Sequence, residues 1–437
     1  GNSSSCHLCY TVYMGECFHK PPQGQGGAGM DRDAAGGRRR RRRITYLSIL
    51  GIMLLLHVLA WNSERFCDWY AAHVFRIWVE TYGRAMGMVP FSVGEALIGL
   101  GLGFGALGGA LGLIWLAGRM SRSGEGRKQT EARGGARERR GRRKDAPPER
   151  PGALRGFSRA YCTGAMWILL TVFVLMTLNS AILYHTSGFG EKYLEAAAAE
   201  YGLEELEALR NFVVEQCNTL CCRIPRNEDG SISYGGDMAG AARAAMGELG
   251  TTYSGLDGFY PAPKPLRCSD FLSRRYIAGC FYPFSMEANY NDVMYVMNMP
   301  STMCHELAHL KGFIREDEAN LIGYLACVGS EDIYFRYSGY LSVLYYIDRD
   351  FRQAAGYERY LAAAPILPQV HEDNVFLTER ERARVEETAS VGAEVVDAVS
   401  DQLSDVGLRL NGVPEGRLSY SKVVGLLLRY YDVNGDR

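Results

Sequence analysis

Strongly charged side chains are missing from three stretches within the first 185 residues. Ile44 to Trp61 has no Asp, Glu, Lys or Arg and only His57 as an ionisable group, while Ala96 to Ala117 and Tyr161 to Tyr184 carry no charge at all. Each is close to the ~20 residues a helix needs to cross the hydrocarbon layer. Three such runs in one chain argue against buried core helices and predict three membrane spans. No small-residue cleavage site lies close behind the first run, so it is expected to be an anchor and not a cleavable signal peptide. The chain also has little net charge, −1 in 437 residues, and a mean hydropathy of only −0.13, which suits a globular body joined to membrane spans.

The near-zero net charge hides a strong asymmetry. Residues 1–159 hold 25 Lys and Arg against 12 Asp and Glu, a balance of +13, so the rest of the chain carries −14. Arg38 to Arg43 is an unbroken basic run before the first span, and Arg119 to Arg159, between the second and third, has 14 basic against 5 acidic residues. Positive charge flanking spans stays on the cytoplasmic side. The amino terminus is therefore expected in the cytoplasm and everything after about His185 outside it. The basic loop lacks interleaved aromatics, so no nucleic-acid partner is expected, and its Gly, Pro, Arg and Glu content reads as a disordered linker. In the second run, glycines at 99, 101, 103, 105, 108, 109 and 112 provide small-residue spacing that lets helices approach closely in lipid.

The resulting division is a disordered basic cytoplasmic tail over 1–43, a three-helix membrane anchor over 44–185 with a basic loop at 118–159, and an extracytoplasmic domain over 186–437. In the tail, Cys6, Cys9, Cys17 and His19 match no strong zinc spacing, and Met30 is a candidate start. Eight further cysteines lie in segments assigned to the outside: Cys67, Cys217, Cys221, Cys222, Cys268, Cys280, Cys304 and Cys327. Buried free thiols are the expected state, with Cys304 and Cys327 the pair to test for a bridge. Within the outer domain, Glu191 to Cys222 predicts one helix and Met238 to Leu249 another, with a polar turn at Asn227 to Gly236 and extended chain or loop from Gly258 to Pro265. Val423 to Leu428 is too short to span and is expected to pack as part of a closing helix.

The chemistry is concentrated at residues 305–320. His305 and His309 are four apart, so on a helix both imidazoles leave the same face and can hold one metal ion. Glu306 between them is placed to act as the general base, and a structural metal site would not require it. Leu307, Ala308 and Leu310 make the helix apolar around this polar triad, as a buried helix with one catalytic face requires. Gly312 predicts a helix stop. A catalytic zinc ion takes three protein ligands. Glu316, on the next helix, is the expected third, with Glu318 the alternative, since helix phase is not fixed by sequence, and Asp317 a solvated first-turn charge. Asn320 would hold a ligand histidine. Tyr334, Tyr337 and Tyr340 are candidate oxyanion donors, Tyr337 the one selected. Glu287, Asn289 and Asn291 mark either an edge strand that pairs with peptide substrate or a turn held by Asn side chains.

Glu316-Asp-Glu-Ala-Asn320 resembles the Glu-x-x-Ala-Asp/Asn element of gluzincin metallopeptidases. The resemblance implies that Glu316 is a ligand and Asn320 its histidine support, although only six residues separate His309 from Glu316 where many gluzincins have a longer insertion. The stretch from Pro265 to Tyr346 also resembles a family of multi-pass bacterial membrane proteins. It does so through Tyr282 to Asn291, the motif helix, Glu316 to Cys327 and Phe335 to Tyr340, with Ser419 to Leu427 near the end. The expected fold is mainly α: three transmembrane helices followed by a zincin-like, gluzincin domain with a small β-sheet beside the motif helix. The expected activity is that of a Zn2+-dependent, membrane-anchored metallopeptidase. Its partners would be the lipid bilayer and a peptide or protein substrate outside the cytoplasm. Hydrolysis of a non-peptide envelope substrate, or a non-catalytic metal site, are the other readings.

Overall fold

A computed structural model describes residues 27–132, 152–194, 201–387 and 422–434. The cysteines and His19 of the amino-terminal tail lie outside these residues. The architecture is mainly helical, with a small mixed sheet and three helices long and apolar enough to span a membrane: Arg40–Asn62, Val93–Ala117 and Gly156–His185. Two compact units divide at Ile52 and Met53. The helix Gly27–Asn62 begins well before the apolar run, so the Arg38 to Arg43 stretch is helical. Arginine is a good helix former, and an unbroken hydrogen-bond ladder costs least when it runs on from the span. The same continuation extends the second span's helix, Val93–Ala132, into the basic loop; residues 133–151 lie outside the described structure.

In the second unit the spans meet through specific polar contacts. His57 Nε2 lies 3.1 Å from Thr177 Oγ1, and the Tyr161 hydroxyl donates to the Phe104 carbonyl at 2.8 Å. Of the seven glycines in the second run only Gly108 packs on another span, against Tyr161, so close helix approach is used at a single point.

Between the first two spans, residues 64–87 form a helical segment interrupted by two π-turns, Ala71–Phe75 and Val79–Gly83. Its buried positions, Cys67, Tyr70, Phe75, Val79 and Gly83, recur at an average spacing above 3.6. A regular α-helix would rotate this stripe off the body, and wider π-turns hold it in place.

The expected single helix over Glu191 to Cys222 is instead broken. Phe189–Tyr193 ends at Leu194 in extended backbone, and Leu203–Cys221 starts from Gly202, whose N–H is capped by the Glu205 carboxylate. Met238–Thr252 forms as expected and runs three residues further than predicted. A three-stranded sheet follows, with β1 (Lys264–Pro265), β2 (Gly279–Tyr282) and β3 (Glu287–Tyr290) in the order β1-β3-β2. β3 is central, parallel to β1 and antiparallel to β2.

The motif helix Met299–His309, the helix Glu316–Val328 and the long helix Ile333–Ala362 then pack into one core. Lys422–Asn434 closes it, burying Val423 and Leu427 as the sequence predicts. Cys304 and Cys327 are both fully buried free thiols, with no bridge between them.

Glu287 ties the sheet to the second span. Its carboxylate accepts from the Val93 and Gly94 amides at 3.1 and 2.7 Å, capping that helix from another element, and pairs with the buried Lys264 ammonium. Breaking a buried pair strands the remaining charge, at a cost of about 3–5 kcal/mol. Glu287→Ala is accordingly expected to lower the thermal midpoint sharply in a melting scan of the detergent-solubilised chain. The double change with Lys264→Met should recover part of the loss.

Candidate metal centre

The motif helix starts with Pro300, whose missing N–H costs nothing in a first turn, and buries Met303, Cys304, Leu307 and Ala308. Burying that stripe leaves His305 and His309 on the opposite face, their ring centroids 4.7 Å apart and nearly perpendicular. The chain reverses at Gly312, whose φ of +93° lies in the left-handed region that side chains with a Cβ rarely adopt. The next helix begins at Glu316 itself. Its carboxylate oxygens reach His305 Nε2 at 3.1 Å and His309 Nε2 at 3.7 Å. One donor atom from each of the three residues falls within 4.8 Å of the others.

The remaining imidazole nitrogens are already engaged. His305 Nδ1 lies 2.9 Å from Asn320 Oδ1, and His309 Nδ1 lies 2.8 Å from the Phe313 carbonyl. Both partners accept, so each ring carries its proton on Nδ1 in the neutral state and presents the Nε2 lone pair to Glu316. This outer-partner arrangement is the one that orients metal-binding histidines. Asn320→Ala removes one such partner, and zinc affinity measured by chelator competition should drop about 10–100-fold.

Glu306 points into the same space, and its Oε2 atom is buried without a hydrogen-bond partner. Burial pushes its carboxyl up to about 8, with Glu316 repulsion adding to this and His305 opposing it. Burial also drives His309 down to about 4, helped by the nearby His305 charge. For His305, burial disfavours the imidazolium, but the Glu316 and Glu306 carboxylates outweigh it and hold the ring at about 9. Glu316 is held low by the two histidines in spite of its own burial. Two imidazole Nε2 atoms and one carboxylate converging within 4.8 Å make a donor set whose chemistry fits a zinc ion.

Helix phase sets Glu316, and not Glu318 or Asp317, beside the two histidines. Glu318 turns away and accepts from the Phe189 amide at 2.8 Å and from Arg315 at 2.9 Å. Asp317 faces the charges of Arg315 and Lys422. The choice of Tyr337 as oxyanion donor needs correcting. Its side chain is fully buried and its hydroxyl donates to Asp373 Oδ2 at 2.8 Å, in a cluster with Arg226. Tyr334 packs on Tyr234, and Tyr340 on Phe212 and Tyr324. These tyrosines sit at helical spacing because they fill the core.

The segment Glu287 to Asn291 is also not an edge. β3 is the central strand, Asn289 Nδ2 donates to the Cys280 and Glu287 carbonyls, and Asn291 holds the following turn through Ser273, Ile277 and Val293. The edge strand beside the site is β2. A Cβ at Gly279 would stand 2.5 Å from Glu306 Oε1, so glycine lets the strand approach Glu306 this closely, and the Phe281 ring lies 6.0 Å from that of His309. Neither contact has a signature in the sequence, since both depend on sheet register.

A family model described as "Protein of unknown function (DUF3810)" matches residues 152–428, which include the third span and every residue of this centre. The chain belongs to the DUF3810 family. No curated protein and no solved structure matches this DUF3810 chain.

Proposed function

We infer that this DUF3810 protein is a membrane-anchored zinc metallopeptidase of gluzincin type, with its active domain outside the cytoplasm. The observation that carries the reading is the convergence of donor atoms from His305, His309 and Glu316 within 4.8 Å, with Glu306 on the same helix carrying a buried oxygen that has no hydrogen-bond partner. The basic flanks of the spans support the orientation. His305, His309 and Glu316 would hold the ion, and a zinc ion so held supplies Lewis acidity and makes water acidic enough to react near neutral pH. Glu306 is the residue that accepts the proton from water and returns it to the leaving amine. Asn320 and the Phe313 carbonyl keep both imidazoles turned toward the ion. β2 pairs with β3 on one side only within the sheet, and an extended peptide adding to the other side would lie along Glu306.

The test is a comparison of wild type and Glu306→Gln, both zinc-loaded, on membrane-proteome and cell-wall substrates. Cleaved peptide bonds in the wild-type sample alone would support the reading; release of cell-wall fragments without peptide cleavage would replace it.

The titration behaviour gives a further expected result. With no cation bound, His305 holds a proton up to about pH 9, and zinc must displace it. Zinc affinity should therefore rise about tenfold per pH unit between 6 and 8, with at least one proton released at pH 7. Calorimetry in buffers of different ionisation enthalpy reads this directly, and a pH-independent affinity would contradict it. The folded state also raises Glu306 from its ordinary 4.5 to about 8 and His305 from 6.5 to about 9, so the metal-free fold binds protons that the unfolded chain has released. Their contribution to its stability falls as pH rises through those windows.

A further inference from the structure

We propose that the metal centre opens at the bilayer surface and acts on polypeptides that are themselves anchored in the membrane, cutting the stretch that emerges beside the bilayer. The substrate class rests on the peptidase reading; the placement of the site does not.

Three sets of contacts carry it. First, the turn between the two ligand-bearing helices rests on the end of the third span. A Cβ at Gly312 would be 3.6 Å from Leu183 Cδ2 and from the Phe75 ring, and the span ends at His185.

Second, the hairpin that carries β2 past Glu306 is held at its turn by span residues and by Tyr82 of the segment between the first two spans. Asn179 Nδ2 donates to the Pro283 carbonyl at 2.9 Å, the Tyr82 hydroxyl donates to the Phe284 carbonyl at 3.1 Å, Gly94 packs against the Tyr282 ring, and Glu287 caps the first residues of the second span. Asn179 stands six residues before the end of the third span, so the hairpin turn bonded to it, into which β2 runs after passing Glu306, lies against that end of the span.

Third, the helical segment between the first two spans has an interfacial composition. With Cys67, Tyr70, Phe75 and Val79 buried against the body, it leaves Trp69 and Ile77 exposed together with Glu64, Arg65 and Arg76, and the turn that follows it exposes Met88 and Phe91. Apolar and aromatic side chains mixed with basic ones characterise helices that lie in the headgroup plane. The segment is tied to the loop that flanks the motif helix: Arg76 pairs with Asp257, Glu80 accepts from the Phe259 amide, and Lys311 donates to the Asp257 and Phe259 carbonyls.

A chain anchored in the same bilayer is held at a high effective concentration beside such a site, whereas a free peptide is not. The test uses the full chain, zinc-loaded and reconstituted in lipid vesicles. The probes are quenched-fluorescent peptides of mixed sequence, either free or continued into a single apolar span through spacers of increasing length. The tethered form with a short spacer should be cut about 10²-fold or more faster, with the advantage fading as the spacer lengthens. Equal or faster cleavage of the free form overturns the proposal.

Nitroxide labels at Ile77 and Met88 should be relaxed by lipid-soluble oxygen, and a label at the exposed Tyr357 by a water-soluble nickel chelate. Behaviour at Ile77 and Met88 like that at Tyr357 also overturns it. Correct depths with neither peptide form cut would end the peptidase reading and the substrate assignment with it, while upholding the placement of the site.

Discussion

Replacing His305 by Ala is expected to empty the metal centre. The full chain, purified with zinc and dialysed, should carry one ion as wild type and close to none as His305→Ala, read by elemental analysis. Three donors converge within 4.8 Å, and the loss of one leaves His309 and Glu316 as an incomplete set for a cation that prefers four-coordinate geometry. The change should also free the Asn320 amide, whose Oδ1 is engaged by His305 and whose Nδ2 is buried without a partner. His371→Ala, on the helix Pro368–Asp373 and exposed, is the control that should retain the ion. Full zinc occupancy in His305→Ala would end the assignment of this site.

The second large effect is expected from Glu306→Gln. The amide matches the carboxylate in shape, so packing against Gly279 is preserved and the three ligands are untouched. What disappears is the ability to take a proton, and general-base contributions are typically about 10²–10⁴-fold. The variant should bind zinc as wild type does and lose hydrolysis by that factor at saturating substrate. Undiminished turnover would remove Glu306 from the chemistry. Because its Oε2 atom is buried and unpartnered, replacement by the uncharged amide should leave the fold at least as stable as wild type at neutral pH and above. Lost activity would then not be explained by unfolding.

The sequence made some elements legible because their signals are local. Uncharged runs near the length of a bilayer crossing gave three candidate spans. The four-residue spacing of His305 and His309 gave two donors on one face, and Gly312 gave the stop between two helices. Helix phase within the second helix was not readable, because Glu316 and Glu318 both lie in its first turn and only the direction of the helix axis separates them. The tyrosines misled for a related reason: a run at helical spacing looks the same whether it faces a cavity or the core, and Tyr337 faces Asp373. The break at Gly202 was obscured by an Ala-, Leu- and Glu-rich stretch whose propensity is helical throughout.

What the sequence determined by itself was that His305 and His309 share one helix face and which segments are apolar enough to enter a membrane, since both follow from side-chain type and spacing along the chain. Tertiary structure alone decided which carboxylate joins the histidines, that β2 and not β3 is the edge strand beside Glu306, that the hairpin is bonded to the ends of the second and third spans, and that the helix turn at Gly312 packs on the third. These are relations between elements distant in sequence. They are set by which apolar faces bury one another and by where the polar backbone groups left at span ends find partners, and neither is encoded in any short stretch of chain.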